Sequence, residues 1–133
     1  MFEVSMKSAE LQQRTKTFAL RVLKLIERLP NTIGGRVLAN QLAGSATSVS
    51  ANYRAACRAR SRAEFASKLG TVAEEADESL HWLELIRDGN FIPAKRIGSL
   101  LAEADELTAI FTSGRRSATR PQPSKIKNQP SSS

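Results

Sequence analysis

The sequence predicts an all-α fold, an antiparallel up-down-up-down four-helix bundle, and three observations carry that expectation. Apolar residues recur at steps of three and four through four separate stretches, one face of a helix each time. No stretch shows the two-residue alternation of a half-buried strand. Between the stretches lie short clusters of Pro, Gly, Asn and Ser, so consecutive helices should turn back on one another. The 133 residues suffice for one domain with one core.

The first helix is expected from about Ser8 to Leu29, with Leu11, Thr15, Phe18, Val22, Leu25, Ile26 and Leu29 on its inner face. Pro30 stops it, because proline lacks the N–H donor and restricts the residue before it. The second starts near Thr32 or Ile33, after the N-cap types Asn31 and Thr32, and runs to Arg58. Its apolar line is Leu38, Leu42, Ala46, Val49, Tyr53 and Ala56. Many of its other residues are small, which lets a neighbouring helix approach closely. Beside the apolar line runs a polar stripe, Gln41, Ser45, Ser48 and Asn52, placed for helix packing.

The third helix opens with the capping box Ser61-x-x-Glu64 and carries Phe65, Leu69, Val72, Ala76, Leu80, Leu83 and Ile86. It is expected to end at Asp88-Gly89-Asn90 with Gly89 as a left-handed cap. The fourth begins with Pro93 at its first position, carries Ile97, Leu100, Leu101, Ala104, Leu107, Ile110 and Phe111, and closes at Gly114. Residues 1–114 therefore read as the bundle domain. Residues 115–133, rich in Ser, Pro, Lys, Arg and Gln, read as a disordered basic tail, because they bury too little surface to offset ordering entropy.

Charge is segregated. Lys7 to Lys68 holds 12 basic and 3 acidic residues, whereas Glu74 to Glu106 holds 3 basic and 9 acidic. The tail adds basic residues alone, and the chain carries a formal +7. A basic block attracts a polyanion, and equally the acidic block of another copy. The densest run places Arg54, Arg58, Arg60 and Arg62 within nine residues, with Lys68 just beyond. Guanidinium groups fork onto phosphate oxygens, so these five are the candidate nucleic-acid contacts; the same run also suits pairing between subunits. No aromatic cluster is interleaved with these arginines, so binding should follow shape and charge, with little stacking on bases. Trp82 and Leu85 lie off the core stripe on the face of Glu75 and Glu78, and these four are the candidate oligomer interface.

Catalytic and metal chemistry lack their components. His81 is the single histidine, so Glu78-x-x-His81 has no second Glu-x-x-His step to complete a di-iron pair. Cys57 is the single cysteine and has no histidine base. Gly34-Gly35-Arg36 lacks the lysine and hydroxyl of a nucleotide loop. A non-enzymatic protein without metal or cofactor is expected. No apolar run approaches the roughly 20 residues of a membrane span, and the opening residues lack a secretion signal's apolar core, so the expected compartment is the cytoplasm.

The stretch from Gln41 through Ser45, Ser48, Asn52, Arg54, Arg58, Arg60, Arg62, Glu64 and Phe65, continuing through Lys68-Leu69 to Glu74, Glu75, Asp77, Glu78, Trp82 and Glu84, resembles the four-helix-bundle family named for ribosomal protein S23. That family includes proteins encoded in intervening sequences of large ribosomal RNA genes. The resemblance spans roughly residues 14 to 112. It implies a bundle assembled as a homopentamer, and a relationship to the nucleic-acid-binding accessory proteins of diversity-generating retroelements. Gln41, Ser45, Ser48 and Asn52 match the family's polar stripe and Trp82 an aromatic site. The chain departs from the pattern at Gly44, where a basic residue is usual, at Ala55, often acidic, and at Ser50, commonly Gly or Pro. The expected partners are therefore further copies of this chain and structured RNA or an RNA–protein complex. The alternative is a protein–protein scaffold that binds no nucleic acid.

Overall fold

The computed structural model describes residues 6–121. Four helices occupy them, α1 (Met6–Ile26), α2 (Ile33–Cys57), α3 (Arg62–Asp88) and α4 (Ala94–Thr119), and the described residues include no strand. Packing closes a ring: α1 lies on α2, α2 on α3, α3 on α4, and α4 returns to α1 along the thinnest seam. The predicted apolar stripes meet at the centre. Phe18, Val22, Leu42, Val49, Val72, Leu83, Ile86, Ile97, Leu107 and Phe111 are fully buried. Each large aliphatic or aromatic side chain removed from water contributes about 1.5–3 kcal/mol, which is why these stripes outweigh the weak intrinsic helicity of α2 with its Gly, Ser and Thr. The Tyr53 and Phe111 rings pack tilted at 45° with centroids 5.0 Å apart, joining α2 to α4 through the core.

Polar groups strengthen the seams. The Arg14 guanidinium of α1 donates to Glu103 of α4 at 2.7 and 2.9 Å and also to Glu106. Charge-assisted bonds of this forked kind are the stronger class, and here they span the seam with the least packing. Arg21 adds a bond to Ser99 Oγ at 2.8 Å. Inside the α2/α3 seam, buried Ser79 donates to buried Ser45 Oγ at 2.8 Å, and Ser45 reaches the Leu42 carbonyl at 3.3 Å. Both hydroxyls are thereby satisfied, as buried polar groups must be.

Helix ends follow the predicted chemistry with four corrections. Thr32 caps α2 by accepting the Gly35 N–H at 3.0 Å. Ser61 accepts the Glu64 N–H at 3.0 Å, while the Glu64 carboxylate accepts the Arg60 N–H at 2.7 Å. The first correction is at α1, which stops at Ile26 instead of Leu29. The Arg28 and Leu29 N–H groups bond to the Leu25 and Ile26 carbonyls in a tighter turn ahead of Pro30. The second is at Gly89, which has φ −84°; the left-handed residue is Asn90, at φ 61°. Asparagine tolerates that region. Glycine at position 89 serves close approach, since a Cβ there would lie 2.7 Å from the Phe91 ring and 2.9 Å from the Leu85 carbonyl oxygen. Third, Pro93 is the N-cap and the helix begins one residue later. Fourth, Gly114 does not close α4: the helix continues to Thr119, so the expected tail starts inside it. The rest of that tail, residues 122–133, lies outside the described residues.

Candidate nucleic-acid interface

The five basic candidates do not form one patch. Arg54 and Arg58 stand one turn apart near the end of α2, both exposed. They line a groove of about 490 Å³ between α1 and α2, together with Ala9, Gln12, Gln13, Lys16 and Ser50. Three cations from two helices thus converge on a surface with amide and hydroxyl donors and no carboxylate in its lining. Such a surface can neutralise phosphate oxygens and hydrogen-bond the sugar–phosphate chain between them. Lys16, Gln12 and Gln13 were not among the predicted contacts. Their spacing puts them on one side of the first helix, but only the pairing of α1 with α2 brings that side to Arg54 and Arg58.

Arg62 points elsewhere. Its guanidinium donates to the carbonyls of Ser117, Ala118 and Arg120, at 3.0–3.3 Å. These carbonyls belong to the last turn of α4 and the residue after it, where the i→i−4 ladder runs out; Ser117 also accepts the Arg120 N–H at 3.3 Å, and this brace from α3 accounts for the helix running past Gly114. Arg115 of α4 lies across α3, so close that a Cβ on Gly70 would come within 3.0 Å of its Nε. Arg62 and Arg115 line the α3/α4 groove, which also contains Glu74. Arg60 is exposed and Lys68 half-buried, and neither lines the α1/α2 groove.

The predicted interface residues divide in the same way. Trp82 is half-buried against the core, and its indole N–H is buried with no hydrogen-bond acceptor among the described residues. Leu85 is 40% exposed and Glu78 is exposed. Glu75 is half-buried beside Ser48 of α2; burial, reinforced by the negative charge of Glu78, raises its carboxyl above the ordinary value. Of the polar stripe, Ser45 is buried in the α2/α3 seam and Asn52 bonds back to Ser48, while Gln41 is exposed. Other exposed apolar side chains are Leu20, Leu23, Ile33 and Val37.

Among the described residues, no three His, Cys, Asp or Glu side chains gather where they could hold a metal ion. His81 is exposed on α3, its ring 5.1 Å from that of Trp82. Cys57 is buried, and burial pushes its thiol up, away from the reactive thiolate. Burial likewise pushes the neighbouring Tyr53 hydroxyl up to about 12. No helix of the described residues is long and apolar enough to cross a membrane.

Comparison with known proteins places the chain in a family and beside a solved structure. The family model described as 23S rRNA-intervening sequence protein matches residues 7–113. A crystal structure of a protein of unknown function from the S23 ribosomal protein family, from Bacteroides thetaiotaomicron, superposes with a TM-score of 0.75 at 32% identity. That match covers 84% of this chain and 99% of the other. No curated protein matches the sequence.

Proposed function

The chain belongs to the 23S rRNA-intervening sequence protein family, and on that premise we propose that it is a non-enzymatic accessory protein that binds structured RNA. The observation that carries this reading is the α1/α2 groove, where Lys16, Arg54 and Arg58 converge with no carboxylate in the lining. The family's description, which names ribosomal RNA, supports the choice of RNA as the polyanion. The groove is lined by polar and small residues, the character of a nucleic-acid interface, where a protein interface would place apolar and aromatic anchors. Arg54 and Arg58 are the principal contacts with Lys16, Arg60 and Lys68 adding charge, while Arg62 acts mainly as the cap of α4.

The proposed assembly is an antiparallel bundle that forms a homopentamer. Pairing of Arg14 with Glu103 and of Arg21 with Ser99 supports opposite directions for α1 and α4. Leu85 on the acidic α3, and Ile33 and Val37 on α2, are exposed apolar side chains that support burial against another copy. The test of the RNA reading is affinity for a structured RNA as a function of salt. Each phosphate contact contributes about −0.7 to −0.9 to the slope of log affinity against log salt, so three contacts predict about −2 to −3. A slope near zero removes the RNA reading and leaves a protein–protein scaffold, the alternative that the exposed apolar residues favour.

A further inference from the structure

A second cationic cluster lies on a different face, near the opposite end of α1. Arg21, Lys24 and Arg28 from α1 and the turn after it meet Arg96 of α4 around a shallow groove of about 260 Å³. The other lining residues are Leu25 and Leu100, which are 8% and 3% exposed. The lining therefore contains no carboxylate and no apolar side chain standing free. Glu27, in the turn after α1, lies outside the lining, and Glu103 of α4 is held by Arg14. The Arg21 guanidinium is steadied by Ser99 Oγ at 2.8 Å. Four like charges brought together by two helices, without a compensating carboxylate between them, form a local positive field that a multiply charged anion relieves.

We propose that Arg21, Lys24, Arg28 and Arg96 form a second phosphate-contacting site, and that RNA held in the α1/α2 groove passes over α1 to reach it. This inference rests on the RNA reading above and extends its footprint. The two clusters share α1 as a strut: Lys16 and Lys24 are eight residues apart, or about 12 Å along the helix axis. A protein partner is the less fitting occupant of the groove itself, since protein interfaces are depleted of Lys and centre on apolar anchors, and the exposed Leu20 and Leu23 of α1 lie outside its lining.

The test is a salt titration of binding to a fluorescently labelled RNA hairpin by the full chain and two double variants. Arg28→Gln with Arg96→Gln removes charge from the second cluster, and Arg54→Gln with Arg58→Gln removes it from the first. All four side chains are exposed, so circular dichroism of each variant should match that of the parent protein. Each pair should weaken binding and flatten the slope by about two, one per phosphate contact removed. The two effects should add, because the clusters share no partners. A slope and affinity unchanged in R28Q/R96Q, with both reduced in R54Q/R58Q, overturns the second site and leaves the groove reading intact. If R28Q/R96Q instead lowers oligomer mass in light scattering without touching the slope, the cluster serves another copy of the chain and the proposal falls. A parent protein that shows no salt-dependent binding defeats both readings together.

Discussion

Replacing Gly35 with alanine isolates the contact that sets the entry of α2. On helix propensity alone the change should stabilise, because alanine is preferred to glycine by about 1 kcal/mol inside a helix. The local geometry reverses that sign. A Cβ at position 35 would overlap the Pro30 carbonyl oxygen and lie 3.1 Å from both the Pro30 carbonyl carbon and Thr32 Oγ1. Two of these obstacles are backbone atoms, so no side-chain rotation relieves them. The turn 27–32 must open, and opening it pulls Thr32 away from the Gly35 N–H that it caps. Loss of a threonine cap costs about 0.5–2 kcal/mol, and the displaced backbone adds strain of about 1–3 kcal/mol. Set against the propensity gain, net destabilisation should be about 0.5–4 kcal/mol. Gly98→Ala is the matched control, because a Cβ there meets nothing within 4 Å and the position is exposed in α4. It should stabilise by about 0.5–1 kcal/mol. Urea denaturation midpoints of the two variants read the difference directly. Equal stabilisation by both substitutions would refute the claim that the carbonyl of Pro30 occupies that space.

Arg62→Ala should remove the guanidinium from the carbonyls of Ser117, Ala118 and Arg120, leaving Ser117 only its bond from the Arg120 N–H and fraying the last turn of α4; faster amide exchange confined to the end of that helix, with about 0.5–1.5 kcal/mol lost overall, is the expected result. The raised Glu75 carboxyl means that folding favours its protonated form. Its ionised form therefore weakens the fold progressively as pH rises from the ordinary Glu value of about 4 through its raised value. Glu75→Gln should raise the melting midpoint at neutral pH, and that advantage should vanish on acidification below pH of about 4; a gain independent of pH would contradict the assignment. If the proposed pentamer forms through this edge of α3, Trp82→Ala should lower the mass seen in light scattering; an unchanged mass would place the edge away from any contact between copies. The buried Cys57 thiol should label with a maleimide far more slowly than an exposed cysteine, and become reactive only on unfolding.

The four helices, their buried faces and most of their boundaries are legible from local sequence alone. Three- and four-residue periodicity is a local property of the chain, and Phe18, Val49, Val72 and Leu107 all lie where it puts them. The cap at Thr32 and the box at Ser61 and Glu64 were legible for the same reason, since each acts over three or four residues. The remaining features depend on contacts formed in the folded chain, most of them between residues far apart in sequence. Gly114 looks like a stop until Arg62, 55 residues earlier than Ser117, supplies acceptor-seeking donors to the end of α4. Gly89 looks left-handed until the Phe91 ring folds back over it. The run from Arg54 to Arg62 looks like one patch, yet the turn between α2 and α3 sends Arg62 toward α4 and leaves Arg54 and Arg58 beside Lys16. Charge can be counted along a chain, but which charges share a groove depends on which helices become neighbours, and that is set by the core.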